Sequence, residues 1–181
     1  MDAIADRPID GSRELLQGLT TNLRANCHRR LRQALGKLDR LTERIAKNAL
    51  VAPEFMDCLQ RRLLALEETL AADLAEQEDV LFPSIEALVK PTRYIENEPA
   101  NGLHDALGQA ALANCGVQSM MEHVQLCLCD PEWADKGPLV ENLIDAVREF
   151  EEALASYVDI ESAVLFPQAD EIARQLTKQA R

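Results

Sequence analysis

Aromatic residues are scarce in this sequence, at 4% of its 181 residues, and glycine occurs only 7 times. β-branched residues are sparse beside its many leucines and alanines. Sheets draw on aromatic and β-branched side chains, whereas Ala and Leu head the helix scale. A β fold is therefore excluded and an all-α fold expected. Positive charge is also short. A net charge of -12 leaves no basic face to neutralise phosphates, which excludes nucleic acid and argues against anionic membrane surfaces. No apolar run approaches the roughly 18–20 residues of a membrane span. The N-terminus MDAIADRPIDG lacks the apolar segment of a secretory signal. The cysteines are odd in number and scattered (Cys27, Cys58, Cys115, Cys127, Cys129), which is no disulfide framework. Reduced thiols and a cytoplasmic location are expected.

What the sequence does have is apolar residues at helical spacing, 47% of the chain, enough for one domain with a good-sized core. Residues 1–11, with Pro8 and Gly11, read as an arm, and 12–178 as the domain. From Ser12 to about Asn48, Leu16, Leu19, Leu23, Leu31, Leu35, Leu38, Leu41 and Ile45 mark a first helix. After the short connection ALVAP, a second helix runs from about Pro53 to Val89. Lys90–Gly102 is the one long irregular link. A third helix spans about Leu103 to Cys129, where Asp130-Pro131 stops it, and a fourth runs from about Pro138 to Lys178. Short connections between long helices imply an antiparallel, up-down-up-down four-helix bundle.

Two stretches repeat. Glu67–Pro83, EETLAADLAEQEDVLFP, aligns without a gap on Glu151–Pro167, EEALASYVDIESAVLFP. Each ends in Leu-Phe-Pro, and the mid-helix prolines Pro83 and Pro167 predict a kink or local break. The first and third helices share HxxLxQA, beginning at His28 and at His104. The expected unit is thus a helix pair used twice.

Within these repeats, polar residues stand where an apolar stripe should run. Residues three, four and seven apart share a helix face. His28 shares one with Leu31, Leu35 and Leu38, and His104 one with Leu107, Ala111 and Cys115. Asp73 and Gln77 continue the stripe of Leu66 and Leu70, and Tyr157 and Glu161 that of Phe150 and Leu154. Measured from the helix connections, His28 and Asp73 fall at one axial level, and His104 and Tyr157 within a turn or two of each other. All six are expected in one layer. An unpartnered buried polar group costs about 1–3 kcal/mol, and a buried carboxylate more. Such a layer persists only if its members satisfy one another or a cation does.

With the doubled pair before Leu-Phe-Pro, and His28 in HRRLRQAL, the chain resembles the hemerythrin-like (HHE cation-binding) family over about residues 20–170. The resemblance implies a hemerythrin-like bundle. In that family the first and third helices each give a His, and the second and fourth each give His-x-x-x-Glu, to a non-haem di-iron centre. Members bind or sense oxygen, store iron, or repair nitric oxide and oxidant damage. Carried over, His28, His104 and Glu161 match. Asp73 stands for the second-helix His, Gln77 for its Glu, and Tyr157 for the fourth-helix His. This set implies His28 and Tyr157 at one metal position, Asp73 and His104 at the other, and Glu161 bridging. The donors are hard and oxygen-rich, suiting iron, Mn, or Zn with fewer ligands, and one metal rather than two is expected if any binds. Glu76 and Glu78, which flank Gln77, are expected as solvated surface acids, with replacement of Gln77 by a slight rotation of the second helix as the alternative.

The function expected is metal binding, iron first, in oxygen, redox or nitrosative-stress handling, with oxygen or nitric oxide as the small molecule. Against it stands a bundle without metal that works as a protein-interaction module. An enzyme using Tyr157 as a redox-active phenol comes third. Leucines outside the inferred stripes permit a homodimer. His123 is expected on a flank, Cys115 in the core, and Cys127-Leu-Cys129 is too close-spaced for an unstrained disulfide.

Overall fold

The computed structural model of the chain describes residues 7–89 and 98–179, with side chains for 11–89 and 102–178. The first long helix consists of α1 (Arg7–Asn22), a wide π turn at Leu23–His28, and α2 (Arg29–Lys47). The second consists of α3 (Pro53–Glu76), a π turn at Gln77–Leu81, and α4 (Phe82–Val89). The third, α5 (Glu98–Leu128), is uninterrupted. A single 3-10 turn, Pro131–Trp133, leads to the fourth: α6 (Pro138–Ile160), a π turn at Glu161–Leu165, and α7 (Phe166–Gln179). The helix begins at Arg7, so residues 7–11 of the expected arm are helical, and residues 1–6 lie outside the described residues. Of the expected link Lys90–Gly102, residues 90–97 also lie outside them, and α5 already starts at Glu98.

α2 packs on α3 and α6, and α5 on α3 and α6, while α1 packs on α4 and α7. The C-terminal part of the first helix thus meets the N-terminal part of the second and of the fourth. That is an antiparallel four-helix bundle made of two helix hairpins. The three π turns fall at one level and divide it. Beyond them, α1, α4, α7 and the start of α5 form one end. Before them, α2, α3, α6 and the rest of α5 form the other.

The leucine stripes carry the assembly. Leu31, Leu38, Leu59, Leu66, Leu70, Leu143 and Phe150 are fully or almost fully buried, each contributing about 2 kcal/mol by removal from water. Pro53 and Pro138 occupy the first turns of α3 and α6, where a missing N–H costs nothing. Gly137 at φ 90 makes the sharp entry to α6, a left-handed conformation that glycine adopts without strain. Ala49 closes α2 at φ 49, where most helices use glycine.

The two mid-helix prolines neither end their helices nor leave them ordinary. Phe82 N–H bonds to the carbonyl of Gln77, and Phe166 N–H to that of Glu161. In each case the Phe of Leu-Phe-Pro closes a five-residue turn, and the proline follows in the first turn of a new α segment. A proline ring crowds the carbonyl four residues back. A wide turn at that place relieves the crowding while the helix continues.

Candidate functional site: a buried polar layer

The π turns bring polar side chains inward at their boundaries, a position where such turns often mark function. His28 ends the first, Gln77 begins the second and Glu161 begins the third. With Asp73, Tyr157 and Asn114 they form a layer in which all six residues are buried. Tyr157 Oη donates to Asp73 Oδ2 at 3.5 Å, and Gln77 Nε2 donates to Asp73 Oδ1 at 3.1 Å and to Glu161 Oε2 at 3.4 Å. Asn114 Nδ2 donates to the same Glu161 oxygen at 2.8 Å. The His28 ring stacks on Phe82, centroids 5.4 Å apart, and meets Tyr157 edge-on at 5.6 Å.

Five of the six residues expected in this layer are there: His28, Asp73, Gln77, Tyr157 and Glu161. His104 is not. Its side chain is 80% exposed and lies 3.9 Å from Asp170 on the surface. The buried stripe of α5 runs through Leu103, Leu107, Ala110, Asn114, Val117, Met121 and Val124, whereas Ala111 and Cys115, assigned to the inward stripe, are exposed. Asn114, ten residues and about 15 Å along the axis from His104, is the third helix's contribution. The helix is rich in Ala and Leu on every side, so its apolar pattern admits more than one register. The shared HxxLxQA therefore marks no shared structural place. Only a polar residue on the true stripe signals Asn114.

Glu78 is not the solvated surface acid expected first. Its Oε1 lies 2.7 Å from His28 Nδ1 and accepts from Arg32 at 2.9 Å. The wide turn starting at Gln77 lets both Gln77 and Glu78 reach inward, while Glu76 stays exposed. His28 and Arg32 together hold Glu78 below the ordinary carboxylate range, against the upward push of its partial burial. With Glu78 ionised, a neutral His28 carries its proton on Nδ1 and leaves Nε2 as a lone pair. Burial lowers the His28 pKa, with Glu78 opposing.

Burial raises both layer carboxyls, Asp73 to about 6 and Glu161 to about 7. Gln77 and Tyr157 pull Asp73 partly back. Asn114 does so for Glu161, whose pKa the nearby Asp73 charge raises further. Tyr157 is shifted upward, first by burial and then by the Glu161 and Asp73 charges. Without a cation beside it, its phenol stays protonated.

Four buried atoms of the layer have no hydrogen-bond partner among the described residues: His28 Nε2, Gln77 Oε1, Asn114 Oδ1 and Glu161 Oε1. All four are acceptors, and each comes from a different long helix. When Glu161 is ionised the layer thus has lone pairs in excess of protons, and when it is protonated its carboxyl supplies a donor.

The dinuclear iron centre implied by the family resemblance does not fit these residues. His104 lies outside the layer, both Asp73 oxygens accept hydrogen bonds from within it, and Gln77 and Asn114 are neutral amides. Among the described residues no group of three or more His, Cys, Asp or Glu is placed to hold a metal ion, and no helix is long and apolar enough to cross a membrane. No protein-family model, curated protein or solved structure matches the chain. Fold and site together define an all-α four-helix bundle with a hydrogen-bonded polar layer at its middle.

Proposed function

We propose that this protein is a helical interaction module whose docking face is the outer side of α5. The observation that carries this is the want of charge there. Between Leu107 and Cys129 the only acidic or basic side chain besides His123 is Glu122, in a chain that is 28% charged. Leu112 and Leu126 stand out on this face, 73% and 67% exposed. The outward residues between them, Cys115, Gln118, Ser119 and Glu122, are small or polar and carry one charge, so this face costs less to desolvate than a charged one. The partner it fits is a second copy. Leu112 and Leu126 are equidistant from Ser119, so a two-fold axis there sets Leu112 of one copy opposite Leu126 of the other, as a self-complementary patch requires. In this reading the buried layer serves the bundle itself, fixing which helix faces meet.

Sedimentation over a wide concentration range tests it. A dimer is expected, and Leu112→Lys with Leu126→Lys should yield a folded monomer. A monomer at every concentration, or a dimer indifferent to both substitutions, would overturn the reading.

A second reading is favoured by the four unpaired acceptors. A single hard cation, iron or manganese before zinc, would satisfy His28, Gln77, Asn114 and Glu161 together, and a role with oxygen or nitric oxide would rest on it. A ligand that binds only the folded chain must raise its melting temperature. Melting unchanged by Fe, Mn or Zn, with no metal retained on purification, would reject this second reading.

A further inference from the structure

The second and third helices carry a pair of thiols that neither reading uses. Cys58 on α3 and Cys127 on α5 face each other with Sγ atoms 2.8 Å apart. That is closer than two non-bonded sulfurs ordinarily come, and within an ångström of the roughly 2.05 Å of a disulfide. Both side chains are half-buried, so reagents reach them. Cys58, though not Cys127, lines a cleft of about 330 Å³ on the flank of α5 that turns towards α3, with Arg61, Arg62, Ala65, Met120 and His123. Arg61 and Arg62 bring two guanidiniums to this one cleft on a chain of net charge -12. They select for a negatively charged reactant.

We propose that Cys58 and Cys127 form a reversible dithiol–disulfide couple, with Cys58 attacking a small anionic disulfide bound in the Arg61–Arg62 cleft and Cys127 resolving it. The two sulfurs are unequal in the way this order needs. The Cys127 thiol and then the Arg62 guanidinium lower the pKa of Cys58, whereas burial raises that of Cys127. The thiolate is the nucleophile. Cys58 gives its proton to solvent, attacks one sulfur of the small disulfide, and releases the first thiolate. Cys127 then attacks the Cys58 sulfur, breaks the mixed disulfide and expels the second thiolate, which takes up the Cys127 proton. Two protein thiols are oxidised by two electrons, and one disulfide is reduced to two thiols. The bond formed fastens α3 to α5 and closes a long loop, which restricts the unfolded chain.

The experiment treats the reduced full-length chain with oxidised glutathione, an anionic disulfide, and maps the linkages by mass spectrometry. The expected product is an intrachain Cys58–Cys127 bond, with a higher melting temperature that returns to the starting value on reduction. Cys127→Ser should hold glutathione on Cys58. Arg62→Gln should slow that labelling several-fold, and cystamine, a cationic disulfide, should label Cys58 more slowly than glutathione does. The proposal is overturned if no Cys58–Cys127 link forms. It is equally overturned if, in Cys127→Ser, the exposed Cys129 is labelled as fast as Cys58, or if cystamine is the faster reagent.

Discussion

Replacing Glu161 by Gln is expected to stabilise this protein at pH 8 and to leave it unchanged near pH 4. Burial lifts the Glu161 carboxyl from the ordinary 4.5 to about 7. Below pH 4.5 folded and unfolded chains both hold the proton. As pH rises towards 7, the unfolded chain releases it first, so stability falls through that window and levels off above the folded pKa. The gap corresponds to about 3 kcal/mol, at 1.36 kcal/mol for each tenfold. Gln is nearly isosteric and does not titrate. Its carbonyl keeps the acceptor role towards Asn114 and Gln77, and its amide supplies a donor where Gln77 Oε1, Asn114 Oδ1 and His28 Nε2 lack one. Urea unfolding at pH 4, 6 and 8 reads the effect. The wild-type curve should fall across this range and the Glu161→Gln curve should fall less, the two parting by up to about 3 kcal/mol at pH 8. Asp73 keeps its own window, from 3.8 to about 6, in both proteins. Should the variant be the less stable protein at pH 8, the ionised carboxylate must be compensated by positive charge in the fold, and the reasoning fails.

Other outcomes follow from the same geometry. Asn114→Ala removes the nearer donor to Glu161, and should cost about 1–3 kcal/mol in denaturant unfolding, more above pH 7 than below. His104→Ala, by contrast, should stay within about 0.5 kcal/mol of wild type, as a surface substitution does. Ala49→Gly relieves the left-handed closure of α2 and should raise stability by about 1 kcal/mol. Phe150→Ala, in the middle of the α6 stripe, should cost about 3–5 kcal/mol.

Much of this was legible in the residues. Leucine spacing and the Pro and Gly punctuation mark the four helices, and the Asp73–Gln77 and Tyr157–Glu161 pairs stand out because they interrupt apolar stripes. The paired Leu-Phe-Pro locates two of the three wide turns, because a proline needs some such accommodation. The turn at Leu23–His28 has no proline after it, and nothing local distinguishes it from ordinary helix. The register of α5 was hidden for a different reason. A face that buries alanine and a face that exposes alanine and leucine look alike in sequence, so His104 was as good a candidate as Asn114. The partnership of Glu78 with His28 depends on the extra residue taken up by the wide turn at Gln77, which helical counting does not contain.

The polar plate at the level of the wide turns has a consequence for how the molecule comes apart. It parts the oily interior into two compartments, one around Leu16, Ile85 and Ile172, the other around Leu38, Leu59 and Leu143. Three of its four walls, α1, α4 and α7, are short segments joined to the rest through the wide π turns. Such a compartment melts as a unit before the whole does. Its amides should exchange with deuterium through a shallower opening than those of α2, α3 and α6, so the molecule behaves as a firm stem with a looser crown.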